Sequence, residues 1–405
     1  MGALIALPAA ALLALRLAGA GFHGDPGSVL STSGPRLWEI GERRGSALGV
    51  VLLAWSAALA LAALVSRGRA ARPAARLAAL SLVYLPLACL AGAALEPGVG
   101  GERLLLGLGA PALALLTLAA LGGYRALAAA CAATVLASTV DVIAGSPLTV
   151  LSLVGPNPAG GHRFYGIGNE LEAILSVLVL AGTGAALSGF APRLERRRAA
   201  VAFLAVALPL AFAYAYGRYG ADVGAAIVLP LGAAVAAALV AGRPRLAVLA
   251  FVLPLPAVAL LAAADLLSGA RSHLTGAVLG AERSGGVFAL IGHRLRETGE
   301  SFGRTVLLPG LPVAVAATLL AWSRRARLVA WTEGRAALRA GLGGALAAIL
   351  VGTLANDSGA LLLELGALYL AAFVAFAWAE APGAGRPPSR TEGEPRRSAR
   401  SIDYA

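Results

Sequence analysis

The feature that most constrains this chain is a succession of apolar runs, each about as long as a helix needs to cross a bilayer. A spanning helix takes ~20 mostly apolar residues. Runs of that kind occupy residues 2–21, 46–66, 77–95, 104–121, 126–144, 170–188, 199–216, 222–241, 246–264, 305–322, 340–355 and 359–379. Hydrocarbon offers no water to the backbone, so such a chain must satisfy its own N–H and C=O groups within helices. The expected fold is all-α: a polytopic transmembrane helical bundle of about twelve helices over residues 1–380. Composition agrees. The chain is 59% hydrophobic and only 13% charged, where a water-soluble domain carries about a quarter charged residues. Its polar surface is too small to cover a globule in water.

The first run lacks a basic leading segment and holds Arg16 near its far end, so it reads as a retained first helix and not a cleaved signal. The last 25 residues, 381–405, are rich in Pro, Arg, Ser and Glu. They cannot bury enough apolar surface to fold and are expected to form a disordered basic tail, drawn weakly to anionic headgroups.

Orientation follows from arginine. The formal charge of +12 comes with no lysine, and the arginines cluster between apolar runs: four in 67–76, four in 189–198, two in 242–245, five in 323–339 and five in the tail. If every run crosses, all these connections fall on one side. By the positive-inside rule that side and both termini are cytoplasmic, which predicts a multi-pass protein of a bacterial cytoplasmic membrane. The basic balance is thus topology, and no nucleic-acid partner is implied. Cys89 and Cys131 lie inside apolar runs and act as small hydrophobes; no disulfide framework, metal spacing or cofactor motif appears.

The polar residues that topology does not explain gather outside. His23, His162, His273 and His293, the four histidines, all fall there. The connection before the sixth run contains Gly155–Glu172, with His162, Arg163, Tyr165, Asn169, Glu170 and Glu172 among prolines and glycines. Gly166 and Gly168 permit close backbone approach, Asn169 suits an N-cap, and the helix start with Arg163 favours a phosphate or carboxylate. Glu170 and Glu172 oppose simple anion binding; they can balance arginines, take a proton or hold a divalent cation beside a phosphate. A capping role for Glu170 is the plainer reading.

Three further places carry polar groups. Arg218 and Asp222 flank a Gly-rich turn, either as an i,i+4 ion pair or as groups facing a cavity at the bilayer edge. The connection 265–304 brings Arg271, Arg283, Arg294, Arg296 and Arg304 with His273 and His293; it reads as an interfacial amphipathic helix or as a lid over the bundle mouth. Asn356, Asp357, Ser358 and Gly359 join the last two runs with ordinary turn chemistry. Asp141 and Glu364 are carboxylates within or beside apolar runs, where ionisable groups are costly.

The string Arg163–Glu170 (RFYGIGNE), with Asn356–Gly359 (NDSG) downstream, resembles a family of bacterial multi-pass membrane proteins to which no activity is assigned. A looser likeness is to the O-antigen ligase and polymerase superfamily. That likeness rests on order: Gly168-Asn169 opening a helix, the basic Arg193–Arg198 loop, the Gly217-Arg218 turn, then the long outer connection. It implies work on polyprenyl-pyrophosphate-linked glycans. Glu170 departs from it, standing where a second Asn is expected.

Together these residues predict an outward-facing site for an anionic, polyprenyl-(pyro)phosphate-linked substrate. Arg163, Arg218 and Arg271, with Tyr165, Asn169, Asp222, Asn356 and Asp357, would bind it. His273, or else His162 or Glu170, would serve as acid or base. The rival is a secondary transporter using Asp141, Glu170, Asp222 and Glu364, and a non-catalytic membrane scaffold is the third. A ligase should gather its polar groups in one outward cavity; a carrier needs a polar path to the midplane.

Overall fold

The computed structural model describes residues 26–66, 69–156, 165–254, 325–356 and 358–381, with single residues and short stretches between 256 and 323. Nine helices among the described residues are long and apolar enough to cross a membrane. They match nine of the twelve apolar runs. The runs at 2–21 and 305–322, most of 246–264, most of the 265–304 connection and the tail beyond residue 381 lie outside the described residues.

In chain order the helices are α1 Pro26–Val65, α2 Ala71–Leu95, α3 Gly98–Leu121, α4 Gly123–Ile143, α5 Asn169–Phe190, α6 Arg196–Ala215, α7 Val223–Val240, a short α8 Arg325–Trp331, α9 Ala336–Ala355 and α10 Gly359–Glu380. A π-helical turn, Leu105–Gly109, interrupts α3. Each crossing helix is 18 residues or longer, and at 1.5 Å per residue a 20-residue helix spans about 30 Å. Leu, Ala and Val dominate these segments, so their outward faces are at home in lipid.

The bundle is built around α5. Leu171, Ile174, Leu175, Leu178 and Ala181 are buried along it, and it packs against α4, α9 and α10. Close approach comes from small residues, as expected where lipid tails leave no hydrophobic drive between helices. A Cβ at Gly341 on α9 would stand 2.6 Å from the Leu180 carbonyl of α5, and one at Gly184 on α5 would stand 2.6 Å from the Ala337 carbonyl of α9.

Contacts at the helix termini divide the bundle into two ends, consistent with alternating passes. At one end Arg76 pairs with Glu380 at 2.7 Å, Arg125 Nε donates to the Gly189 carbonyl and Arg335 to the Ser188 carbonyl. At the other, Arg36 pairs with Glu96 at 2.6 Å and Arg43 with Glu102 at 3.1 Å. The Arg-rich connections border the first end, the inner one in the arginine-count assignment. The described residues of the polar segments singled out above, 165–172, 218–222, Asn356 and Ser358, border the second, here called the outer end.

Candidate functional site

The site begins with Asp141 at the outer end of α4. Its carboxylate accepts from the backbone N–H of Leu148 at 3.1 Å and of Thr149 at 2.8 Å, and from the Thr149 hydroxyl at 2.6 Å. Residues 146–156 follow as turns with every residue buried. Irregular backbone at membrane depth is tolerated where protein or a cavity covers it, and Asp141 supplies acceptors for part of this segment. A suspected titrating group thus has a structural task.

The chain then meets the turn between α6 and α7. Tyr165 donates its hydroxyl to the Gly217 carbonyl at 3.0 Å, and Ile167 N–H bonds the Gly220 carbonyl at 3.0 Å. Gly166 between them takes φ +85°, and its N–H bonds the Ser146 hydroxyl at 2.8 Å. A side chain at Gly166 would collide with the Gly220 carbonyl. The connections before α5 and before α7, which carry Arg163 and Arg218, are therefore stitched together by backbone.

Helix α5 starts one residue earlier than a capping Asn169 would require. Gly168 is the N-cap, with extended backbone, and Asn169 is the first helical residue. Its side chain turns instead to α9, where Asn356 Nδ2 donates to Asn169 Oδ1 at 3.1 Å and to Glu172 Oε2 at 2.8 Å. Asn356 Oδ1 accepts from Ser358 N–H at 3.2 Å, which fixes the amide orientation, since only the nitrogen can then face two acceptors. The Asn356 carbonyl accepts from the Thr298 hydroxyl at 2.8 Å. Three residues apart on a helix, Asn169 and Glu172 share a face, and one amide clamps both.

Glu172 is 1% exposed. Its carboxylate presses on Gly224 of α7: a Cβ there would lie 2.5 Å from Glu172 Oε1. The N–H of that same Gly224 is bonded by Asp222 Oδ1 at 3.1 Å, so Asp222, also buried, caps α7. The i,i+4 pairing of Arg218 with Asp222 does not form; Arg218 is exposed and makes no ion pair among the described residues. Nor does Glu170 cap its helix. It pairs with Arg44 of α1 at 3.2 Å, not with Arg218, the one described member of the arginine set assigned to substrate.

The structure thus brings Tyr165, Asn169, Glu170, Asp222 and Asn356 to the outer end, with Glu172 at their centre. His162, Arg163, Arg271, His273 and Asp357 lie outside the described residues. Arg44 and Glu102 were missed because they stand just before the apolar runs 46–66 and 104–121, where charges usually mean topology. The available signal was that Arg43 and Arg44 oppose the arginine bias. Glu364, five residues into α10, is partly exposed. Among the described residues no group of three or more His, Cys, Asp or Glu is placed to hold a metal ion.

No family model matches the chain, and neither the curated proteins nor the solved structures contain a match.

Proposed function

We propose that this multi-pass membrane protein binds an anionic substrate of the polyprenyl-phosphate or polyprenyl-pyrophosphate class at its outer end and transfers a glycan from it. In this reading Arg163, Arg218 and Arg271 neutralise phosphate oxygens, and Tyr165, Asn169 and Asn356 line the site. His273, with His162 as the second candidate, takes the acceptor hydroxyl proton as the acceptor oxygen bonds the sugar's anomeric carbon and the bond from that carbon to the phosphate oxygen breaks. The arginines then hold the charge left on the phosphate. The likeness in residue order to the O-antigen ligase and polymerase superfamily belongs to the same proposal, as does placement in a bacterial cytoplasmic membrane with both termini inside.

One observation carries the reading. Polar side chains from the segments before α5, before α7 and after α9 meet at a single end of the bundle. Among the described residues the buried carboxylates of this end, Glu102, Asp141, Glu172 and Asp222, all stand at or near helix ends. An outward-facing site has that distribution; a path through the midplane does not. The burial of Glu172 and Asp222 favours a second reading, a carrier that couples proton or cation binding to transport.

The full chain, purified in detergent and titrated with farnesyl pyrophosphate, separates the two. Saturable binding that is weakened by Arg163→Ala supports the substrate site. No binding, together with gradient-driven uptake into proteoliposomes that Glu172→Gln abolishes, supports the carrier.

A further inference from the structure

Arg44 lies on the outer half of α1, its side chain 14% exposed. A guanidinium carries five N–H donors in a planar fork. Here Nη1 reaches Glu170 Oε1 at 3.2 Å and Nη2 reaches the Pro156 carbonyl at 3.4 Å, both long for charge-assisted bonds. Nε is buried with no hydrogen-bond partner among the described residues. Its neighbour Arg43 contrasts with it in its charge partners: Nη1 meets Glu39 at 3.1 Å, Nη2 donates to Glu102 at 3.4 Å, and Nε, likewise without a hydrogen bond, lies 3.1 Å from the same Glu102 carboxylate. Arg43 is neutralised by two carboxylates; Arg44 is held by one, through one oxygen.

Position adds to this. Pro156 and Glu170 stand on either side of the connection that carries Arg163, so Arg44 sits at the base of that connection. Gly168 closes the same spot: a Cβ there would lie 3.0 Å from Glu170 Oε2 and 3.1 Å from the Pro156 Cα. A half-satisfied, largely buried guanidinium is an unfavourable resting arrangement. A phosphate group, with oxygens spaced for the fork, suits it better than one carboxylate oxygen.

We infer that Arg44 is an anion-binding residue of the outer site, and that Glu170 is its resting counter-ion, displaced when a phosphate group binds. This rests on the reading above and adds to it a residue on α1 and an exchange of partners. Binding then frees the Glu170 carboxylate beside the bound phosphate.

The test is affinity, measured on the full chain in detergent with two probes, inorganic pyrophosphate and farnesyl pyrophosphate. Arg44→Gln should weaken binding by at least about tenfold, as loss of a charge-assisted fork implies. Arg44→Lys should fall between, keeping charge without the fork. Glu170→Gln removes the competing carboxylate and should tighten binding about threefold or more. A merely structural bridge predicts the same direction for both partners; the exchange predicts opposite directions. If Arg44→Gln fails to accumulate, Arg44→Lys and Glu170→Gln carry the comparison. Equal sensitivity with both probes assigns a free phosphate group as sufficient ligand, and sensitivity with farnesyl pyrophosphate alone assigns the lipid-linked form. If the wild type binds farnesyl pyrophosphate and the Arg44 variants match it, the inference is overturned and the outer-site reading stands. If the wild type binds neither probe, both fall.

Discussion

The carboxamide of Asn356, at the end of α9, bonds the buried carboxylate of Glu172 on α5 at 2.8 Å. A residue 184 positions further along the chain thus closes over the first turn of the central helix. The same nitrogen holds Asn169, so a turn that reads as four ordinary loop residues is tied to the polar centre of the bundle.

Removing this amide should be costly. Asn356→Ala strips a donor from a carboxylate that is 1% exposed, and should lower stability by about 2 kcal/mol. Asn356→Asp should cost more near neutral pH, because it sets a second negative charge against Glu172. Unfolding of the full chain in detergent measures both. Equal, small losses would mean that the contact is weak.

Two glycines near the site should respond differently. Gly166→Ala puts a side chain at φ +85° and into the Gly220 carbonyl; neither the backbone nor its partner can yield, and a loss above about 2 kcal/mol is expected. Gly224→Ala meets only the far end of the Glu172 side chain, which can swing away. It should cost about 1 kcal/mol while disturbing the Asn356 contact. Thermal unfolding of the two variants orders them, and the reverse order contradicts the packing described here.

Arg163→Ala should abolish substrate binding while leaving membrane insertion intact, and Arg163→Lys should restore it poorly, because an ammonium cannot supply a planar pair of donors. Insertion is read by membrane fractionation and binding by titration. Full binding in both variants would reduce the segment to a structural turn.

The assignment of sides rests on arginine counts and is checked by labelling. Cysteine at Arg197, exposed in the first turn of α6, should react only with membrane-permeant thiol reagents. Cysteine at Arg103, exposed at the other end, should react with impermeant ones. The native Cys89 and Cys131 are buried and give little background.

Much of the fold was legible because bilayer length and the cost of bare backbone leave few alternatives. Nine runs became nine crossing helices, most with ends shifted by a few residues, as at α3, which starts at Gly98 and not at 104, whereas α1 starts at Pro26, far ahead of the run at 46–66. The outer cluster was legible only as residue types. Nothing local shows that Asn356 reaches Asn169, since that contact depends on how α5 and α9 pack. Asp141 looked functional because a carboxylate beside an apolar run is expensive, yet it bonds the backbone of a buried turn that no periodicity announces. Arg44 escaped notice for the opposite reason: arginine just ahead of an apolar run has an ordinary explanation. Its partner Glu170 lies 126 residues away in sequence.

The most direct measurement combines side and site. Tyr165 is 39% exposed at the outer end, and a cysteine in its place, in spheroplasts of the expressing bacterium, should react with an impermeant maleimide. Added farnesyl pyrophosphate should slow that reaction in a saturable way, and inorganic phosphate at the same concentration should not. Labelling only after permeabilisation, or a rate that farnesyl pyrophosphate leaves unchanged, would contradict an outward-facing site for a lipid-linked phosphate.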